Sequence, residues 1–179
     1  YNMDILINWG ENMNFRQAEH RDLSAIMAII GQAQSYLKEK GVDQWQNNYP
    51  DEGVIGLDIK QGIGYVLSIE DCLVATAALS FDGESTYDKI YEGSWLNEEP
   101  YSVIHRIAAN SSVRGRGVSS EMLKHLEKLT LDHKINNIRI DTHQDNLTMQ
   151  GFLKKHGFIY CGVIYLKDGA KRVAYQKVL

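Results

Sequence analysis

The chain has 179 residues, 44% of them apolar, and 23 Asp and Glu against 19 Lys and Arg for a net charge of −4. That length suits one domain burying roughly two-thirds of its unfolded surface. An acidic balance argues mildly against a nucleic-acid binder, whose basic footprint is offered here only locally, no apolar run approaches the ~18–20 residues of a membrane span, and Cys72 and Cys161 suit reduced thiols better than a disulfide framework, so the expectation is a soluble, cytoplasmic protein.

Residues 1–12 read as a leader or an expression remnant, since Met3 and Met13 both offer starts. Residues 15–18 suggest a short strand. Asp22 then precedes Leu23, Ile26, Met27, Ile29, Ile30, Ala33 and Leu37, a helical spacing that Gly41 stops. The polar loop 43–50 carries Trp45 and Tyr49, which either cover the end of a core or wall a substrate cleft. Residues 54–61 read as a second short helix, and residues 65–69 and 73–81 as a hairpin around Glu70 and Asp71. Residues 82–100 form a long acidic and aromatic insertion in which Tyr87, Tyr91 and Trp95 fall four apart, the spacing of one helix face. Long loops in compact domains are commonly binding loops, which nominates Trp45, Tyr87 and Trp95 as an acceptor site; tucking into the core is the competing reading. Carboxylates such as Asp82, Glu84, Asp88 and Glu92 would favour a cationic substrate, unless they are only a solvated face.

Ser102–Ala109 reads as a buried strand, followed by a basic glycine-rich loop and, from Val118, the apolar stripe Met122, Leu123, Leu126 and Leu129 of an amphipathic helix. Gly115 and Gly117 permit a tight turn, Arg114 and Arg116 add positive charge, and a helix N-terminus offers unpaired N–H donors. That combination holds a phosphate or pyrophosphate. Asn137–Thr142 reads as the next strand, parallel to the first because a helix intervenes. Asn146 caps a helix bearing Leu147, Met149, Phe152 and Leu153, stopped by Gly157, and residues 158–166 and 172–178 are closing strands joined through Asp168 and Gly169. A Walker A loop is excluded, because no Gly-Lys-Ser/Thr follows. A dinucleotide fingerprint fails at Ser120, where its third glycine belongs, and too little chain remains for further βαβ units.

Arg114, Gly115, Arg116, Gly117, Val118 and Ser119, after Ser102–Ala109, resemble the Arg/Gln-x-x-Gly-x-Gly/Ala signature of the GNAT N-acetyltransferase superfamily. Asn146, Met149, Phe152, Leu153, Lys155, Gly157 and Phe158 resemble that family's downstream Asn-x-x-Ala-x-x-Phe-Tyr-x-Lys-x-Gly-Phe stretch. The chain is thus identified as a bacterial-type member over residues 13–179. The resemblance implies a single α/β domain, a mixed central sheet with a splayed parallel strand pair and about four flanking helices. It implies acetyl-CoA as co-substrate and no metal, with the loop gripping its pyrophosphate, Asn146 bonding its pantetheine arm, and backbone N–H groups along Ile107 to Ala109 facing its thioester. Ser119 replaces the usual Gly or Ala yet stays small. Leu153 replaces the tyrosine that protonates the departing thiolate, and leucine has no proton to give.

His105, on the strand beside the expected thioester, is then the first candidate base, although a satisfied core histidine is the bland alternative. Strand alternation lets only one of His105 and Arg106 face the cleft. His143, Glu98 or Glu99 are substitutes for the base, Tyr160 is a candidate acid, and Cys161 is read as a structural thiol. The expected reaction is direct acetyl transfer to an amine on a small cationic molecule or a peptide, with a homodimer compatible. The second hypothesis, motivated by Leu153, is an acyl-CoA-binding or regulatory module without transferase activity.

Overall fold

The computed structural model describes residues 13–179; the reading of residues 1–12 as a leader lies outside them. In chain order the elements are β1 (Met13–Gln17), α1 (Leu23–Glu39), α2 (Glu52–Lys60), β2 (Gly64–Ile69), β3 (Cys72–Ser80), β4 (Ser102–Ala109), α3 (Val118–Asp132), β5 (Asn137–Thr142), α4 (Leu147–Lys155), β6 (Ile159–Tyr165) and β7 (Lys171–Val178). The seven strands form one sheet in the order β1-β2-β3-β4-β5-β7-β6. Every neighbouring pair is antiparallel except β4 and β5.

Those two strands pair only at Ser102 with Ile138 and at Val103 with Arg139, then part. Among the described residues the backbone of β4 beyond Val103 therefore has no strand partner on its β5 side. A cleft opens at the centre of the sheet, the one place where parallel neighbours leave room for a ligand between them.

The pleat explains how the sheet is covered. Ile104, Ile138 and Ile140 point to the face that α3 and α4 bury, with Val118, Met122, Leu123, Leu126 and Leu153 packed on them. Each such side chain stabilises the fold by about 1.5–3 kcal/mol. On the other face α1 and α2 cover the first half through Ile26, Ile29, Ile30 and Ile55. Among the described residues no helix covers the second half, over β5, β7 and β6. Segment 82–100 fills that place, its Tyr87 and Trp95 buried with Val103, Cys161, Ile164 and Ala174.

That segment does not form the short helix that the spacing of Tyr87, Tyr91 and Trp95 suggests; it holds a single 3-10 turn at Ser85–Tyr87. Tyr91 instead makes an isolated bridge to Val163 on the edge strand β6. The approach is backbone on backbone. A Cβ on Gly93 would overlap the Cys161 carbonyl, and one on Gly162 would lie 2.5 Å from the Tyr91 carbonyl oxygen. Arg139 completes the anchorage, its guanidinium 4.1 Å from the Trp95 ring centroid and 3.9 Å from that of Tyr101, donating to the Asn97 carbonyl at 2.8 Å.

Candidate functional site

The cleft encloses about 1350 Å³, more than the ~300–1,000 Å³ typical of one drug-sized ligand, and it runs from the N-terminus of α3 to the bulged middle of β4. At one end Gly115 and Gly117 both have φ of +78°, a conformation that side chains with a Cβ resist. The first bond of the α3 ladder is donated by Glu121 to the Gly117 carbonyl, so the amides of Val118, Ser119 and Ser120 precede the ladder. Arg114 lines the same end, stacked 4.7 Å from the Tyr36 ring centroid. Gln32 of α1 accepts from the Ser111 amide at 2.8 Å and steadies the loop.

At the other end β4 is irregular. Its register against β3 shifts between Thr76 and Ala78, so that Arg106 and Ile107 together oppose Ala77, and Arg106 has φ of +52°. This corrects the strict alternation expected of the strand. His105 and Arg106 both line the cleft. Arg106 donates to both carboxylate oxygens of Asp58 on α2, at 2.6 and 2.7 Å, and to the Tyr49 hydroxyl at 3.3 Å. Burial and then Arg106 push the His105 imidazole from its ordinary 6.5 down to about 4, against a weaker upward pull from Glu84. His105 is therefore neutral at neutral pH.

A model of the Acetyltransferase (GNAT) family matches residues 29–158. The chain belongs to that family. Among solved structures, a GNAT-family acetyltransferase from Streptococcus agalactiae is 38% identical, with TM-score 0.85 over 94% of this chain and 96% of that one. A GNAT-family acetyltransferase from Listeria monocytogenes is 24% identical, TM-score 0.72 over 93% and 95%. The NatC complex bound to Gag peptide and CoA shares the fold at 13% identity, TM-score 0.66 over 94% and 99%. No curated protein matches significantly. The protein is an acetyltransferase, and the mixed sheet, splayed pair and four helices expected from the resemblance are those of the structure.

The acetyltransferase brings together Arg114, Gly115, Gly117, Val118, Ser119, Ile107, Ala109 and Asn146 along its cleft, with His105 and Trp45. Arg116 is exposed and does not line it. Asn146 has both ends engaged: its side-chain oxygen accepts from the Met149 amide at 3.1 Å, and its nitrogen donates to Gln44 Oε1 at 3.0 Å. Gln44 Oε1 also accepts from the Thr142 hydroxyl at 3.1 Å and the His143 amide at 3.2 Å, tying loop 43–50 across the mouth of the splay. Trp45 unites its two readings, since it packs on the core formed with α1 and also lines the cleft.

Besides Arg116, four predicted residues lie elsewhere. Tyr87 and Trp95 are buried in the core under the insertion and do not line the cleft; Tyr87 donates to Asp141 at 2.7 Å, and Trp95 donates to the Tyr87 carbonyl at 3.0 Å. The uncovered half of the sheet needs their apolar surface, which removes them as acceptor contacts. Tyr160 is exposed on β6, edge-on to Tyr175 at 5.8 Å, away from the cleft. His143 accepts from the Asp145 amide at 3.2 Å and does not line the cleft either. Leu153 is fully buried in the main core.

Two groups in the cleft, Asp58 and Asp141, are not nominated by the sequence, and a third, Glu84, is named there only among several carboxylates. Asp58 sits at i+3 from Ile55 on a buried helix face, and an acid in that position demands a cation, which is a readable signal for its pairing with Arg106. Asp141 lines the cleft beside Arg172, their atoms 3.9 Å apart, and burial raises its carboxyl despite the Tyr87 hydrogen bond and Arg172. Glu84, one of several carboxylates in an acidic run, is the one that reaches His105, and nothing in its sequence neighbourhood separates it from the rest.

Proposed function

We propose that this acetyltransferase takes acetyl-CoA as co-substrate and transfers the acetyl group to an amine by direct attack, with residues 13–179 as the catalytic domain. The observation that carries the reading is the splay of β4 from β5, continuous with two left-handed glycines and the N-terminal amides of α3. These residues fit a long phosphorylated thioester: the amides and Arg114 suit the pyrophosphate, and the partnerless edge of β4 around Ile107 and Ala109 suits the amide-bearing arm. When bound, acetyl-CoA supplies an activated acyl carbon that an amine attacks, with the thiol as leaving group.

The chain's own part is positioning and proton removal. An amine of pKa near ~10 is only about 0.1% neutral at pH 7, so a base must take a proton before attack. His105, neutral and lining the cleft at the bulge, is that base. Glu84 offers the acceptor end a carboxylate that favours a cationic amine, on a small molecule or a peptide, with Trp45 and Tyr49 as its aromatic wall. Holding amine and thioester in one cleft supplies much of the acceleration.

The second reading, an acyl-CoA-binding module without transferase activity, rests on Leu153: it is buried, and Tyr160 stands outside the cleft, so neither provides a phenolic proton donor there. A thiol-release assay against amines, amino acids, polyamines, aminoglycosides and peptides, paired with calorimetry of CoA binding, separates the two. Thiol release with at least one amine is expected. Binding without release would establish the module, and absence of binding would overturn both.

A further inference from the structure

Glu84 lies at the start of the insertion 82–100, yet its carboxylate is only partly exposed, because the segment turns inward at the 3-10 turn Ser85–Tyr87. One oxygen, Oε1, accepts from both the Thr86 amide and the Thr86 hydroxyl, each at 3.0 Å. The other, Oε2, stands 3.9 Å from His105 Nε2. The carboxylate is thus pinned at one oxygen and presented to the imidazole with the other. The pinning is itself rigid: Tyr87 is held by Asp141 and by Trp95, and the following segment is held by Arg139 and by the Gly93–Gly162 contact.

We propose that Glu84 and His105 act as one proton-accepting pair, with Glu84 the positioning residue that orients the imidazole in the cleft and balances the charge it gains. The inference rests on the acetyl-transfer reading above. A ring nitrogen of neutral His105 takes one proton from the acceptor ammonium, and the Glu84 carboxylate offsets the imidazolium. The amine lone pair then forms the C–N bond as the C–S bond breaks. The second amine proton goes to the departing thiolate, and His105 returns its proton to solvent. The pairing is needed because the other surroundings oppose protonation: burial disfavours the cation, and Arg106, although engaged by Asp58, repels it. Asp141 on β5 and Tyr87 in the insertion feel Glu84 from beyond, and Asp141 is opposed in sign by Arg172 on β7, 3.9 Å from it. Glu84 is therefore the carboxylate placed against the imidazole itself.

Glu84→Gln tests this, since the amide oxygen can still accept from Thr86 while the group facing His105 becomes an uncharged NH2 that cannot balance an imidazolium. Imidazole nitrogen chemical shifts of the labelled, substrate-free protein, followed across pH, are expected to show a lower His105 pKa in Glu84→Gln than in the wild type. In thiol-release kinetics kcat is expected to fall at least ~100-fold with KM for acetyl-CoA within about twofold, in the range of general-base loss. His105→Gln is expected to lose a similar factor, and the double variant no more than the worse single, as for residues acting as a unit. An unmoved His105 titration, a Glu84→Gln kcat within about threefold of wild type, or losses that multiply in the double variant would each overturn the pairing. A wild type that releases no thiol with any amine would instead overturn the acetyl-transfer reading on which it rests.

Discussion

Arg106 and Asp58 meet through two hydrogen bonds with both side chains nearly buried, and Arg106 does so from a left-handed backbone that few non-glycine residues adopt. Removing one member leaves a buried, uncompensated charge. Asp58→Ala is accordingly expected to lower stability by about 3–5 kcal/mol in urea unfolding, while Asp58→Asn, which keeps the volume, should still destabilise. His105 gives a second expectation at this scale. Its pKa falls from 6.5 unfolded to about 4 folded, so between those values the unfolded chain binds more protons. Its contribution to stability is full above pH 6.5 and disappears as pH falls towards 4. Urea midpoints at pH 7 and pH 4.5 should therefore converge more closely in His105→Gln than in the wild type. Both residues were visible in the sequence as polar interruptions of apolar patterns. Their joint orientation was not, because strand alternation forbids it and only the bulge opposite Ala77 permits it.

Among the elements, strands and helices followed their local signals closely: β4 and β5 occupy the expected residues, Gly41 and Gly157 end their helices with φ of +69° and +83°, and Asn146 caps α4. The insertion 82–100 did not, since the four-residue spacing of its aromatics reflects three separate anchoring points and no helix. Tyr87 and Trp95 enter the core, while Tyr91 covers the edge of β6. This makes its seating sensitive to distant glycines. Gly162→Ala places a Cβ 2.5 Å from the Tyr91 carbonyl oxygen at a φ of +145°, with no flexible side chain to yield. The expected outcome is faster hydrogen exchange across residues 82–100 and a fall in kcat through displacement of Glu84, with CoA affinity by calorimetry little changed, because the α3 loop lies elsewhere.

Over the whole molecule, the two halves of the sheet separate where β4 leaves β5, and a ligand in that cleft contacts both. Binding to the folded state alone stabilises it by mass action, about 2.7 kcal/mol at one hundred times Kd. For a chain of this size that corresponds to a rise in Tm of about 5–10 °C with CoA, read by scanning calorimetry. The same experiment on Gly117→Val should show a smaller rise, since a branched side chain resists the left-handed turn. The sequence by itself determined the glycine-rich end of this cleft, because a turn of consecutive backbone amides and two left-handed glycines needs no distant partner. It also determined the family, through two motifs at a fixed separation. The charged end around the bulge of β4 was decided only by tertiary structure. Asp58, Glu84, His105, Arg106 and Asp141 come from α2, the insertion, β4 and β5, and it is the sheet's uncovered half, filled by segment 82–100, that sends Tyr87 and Trp95 into the core and Glu84 to the imidazole.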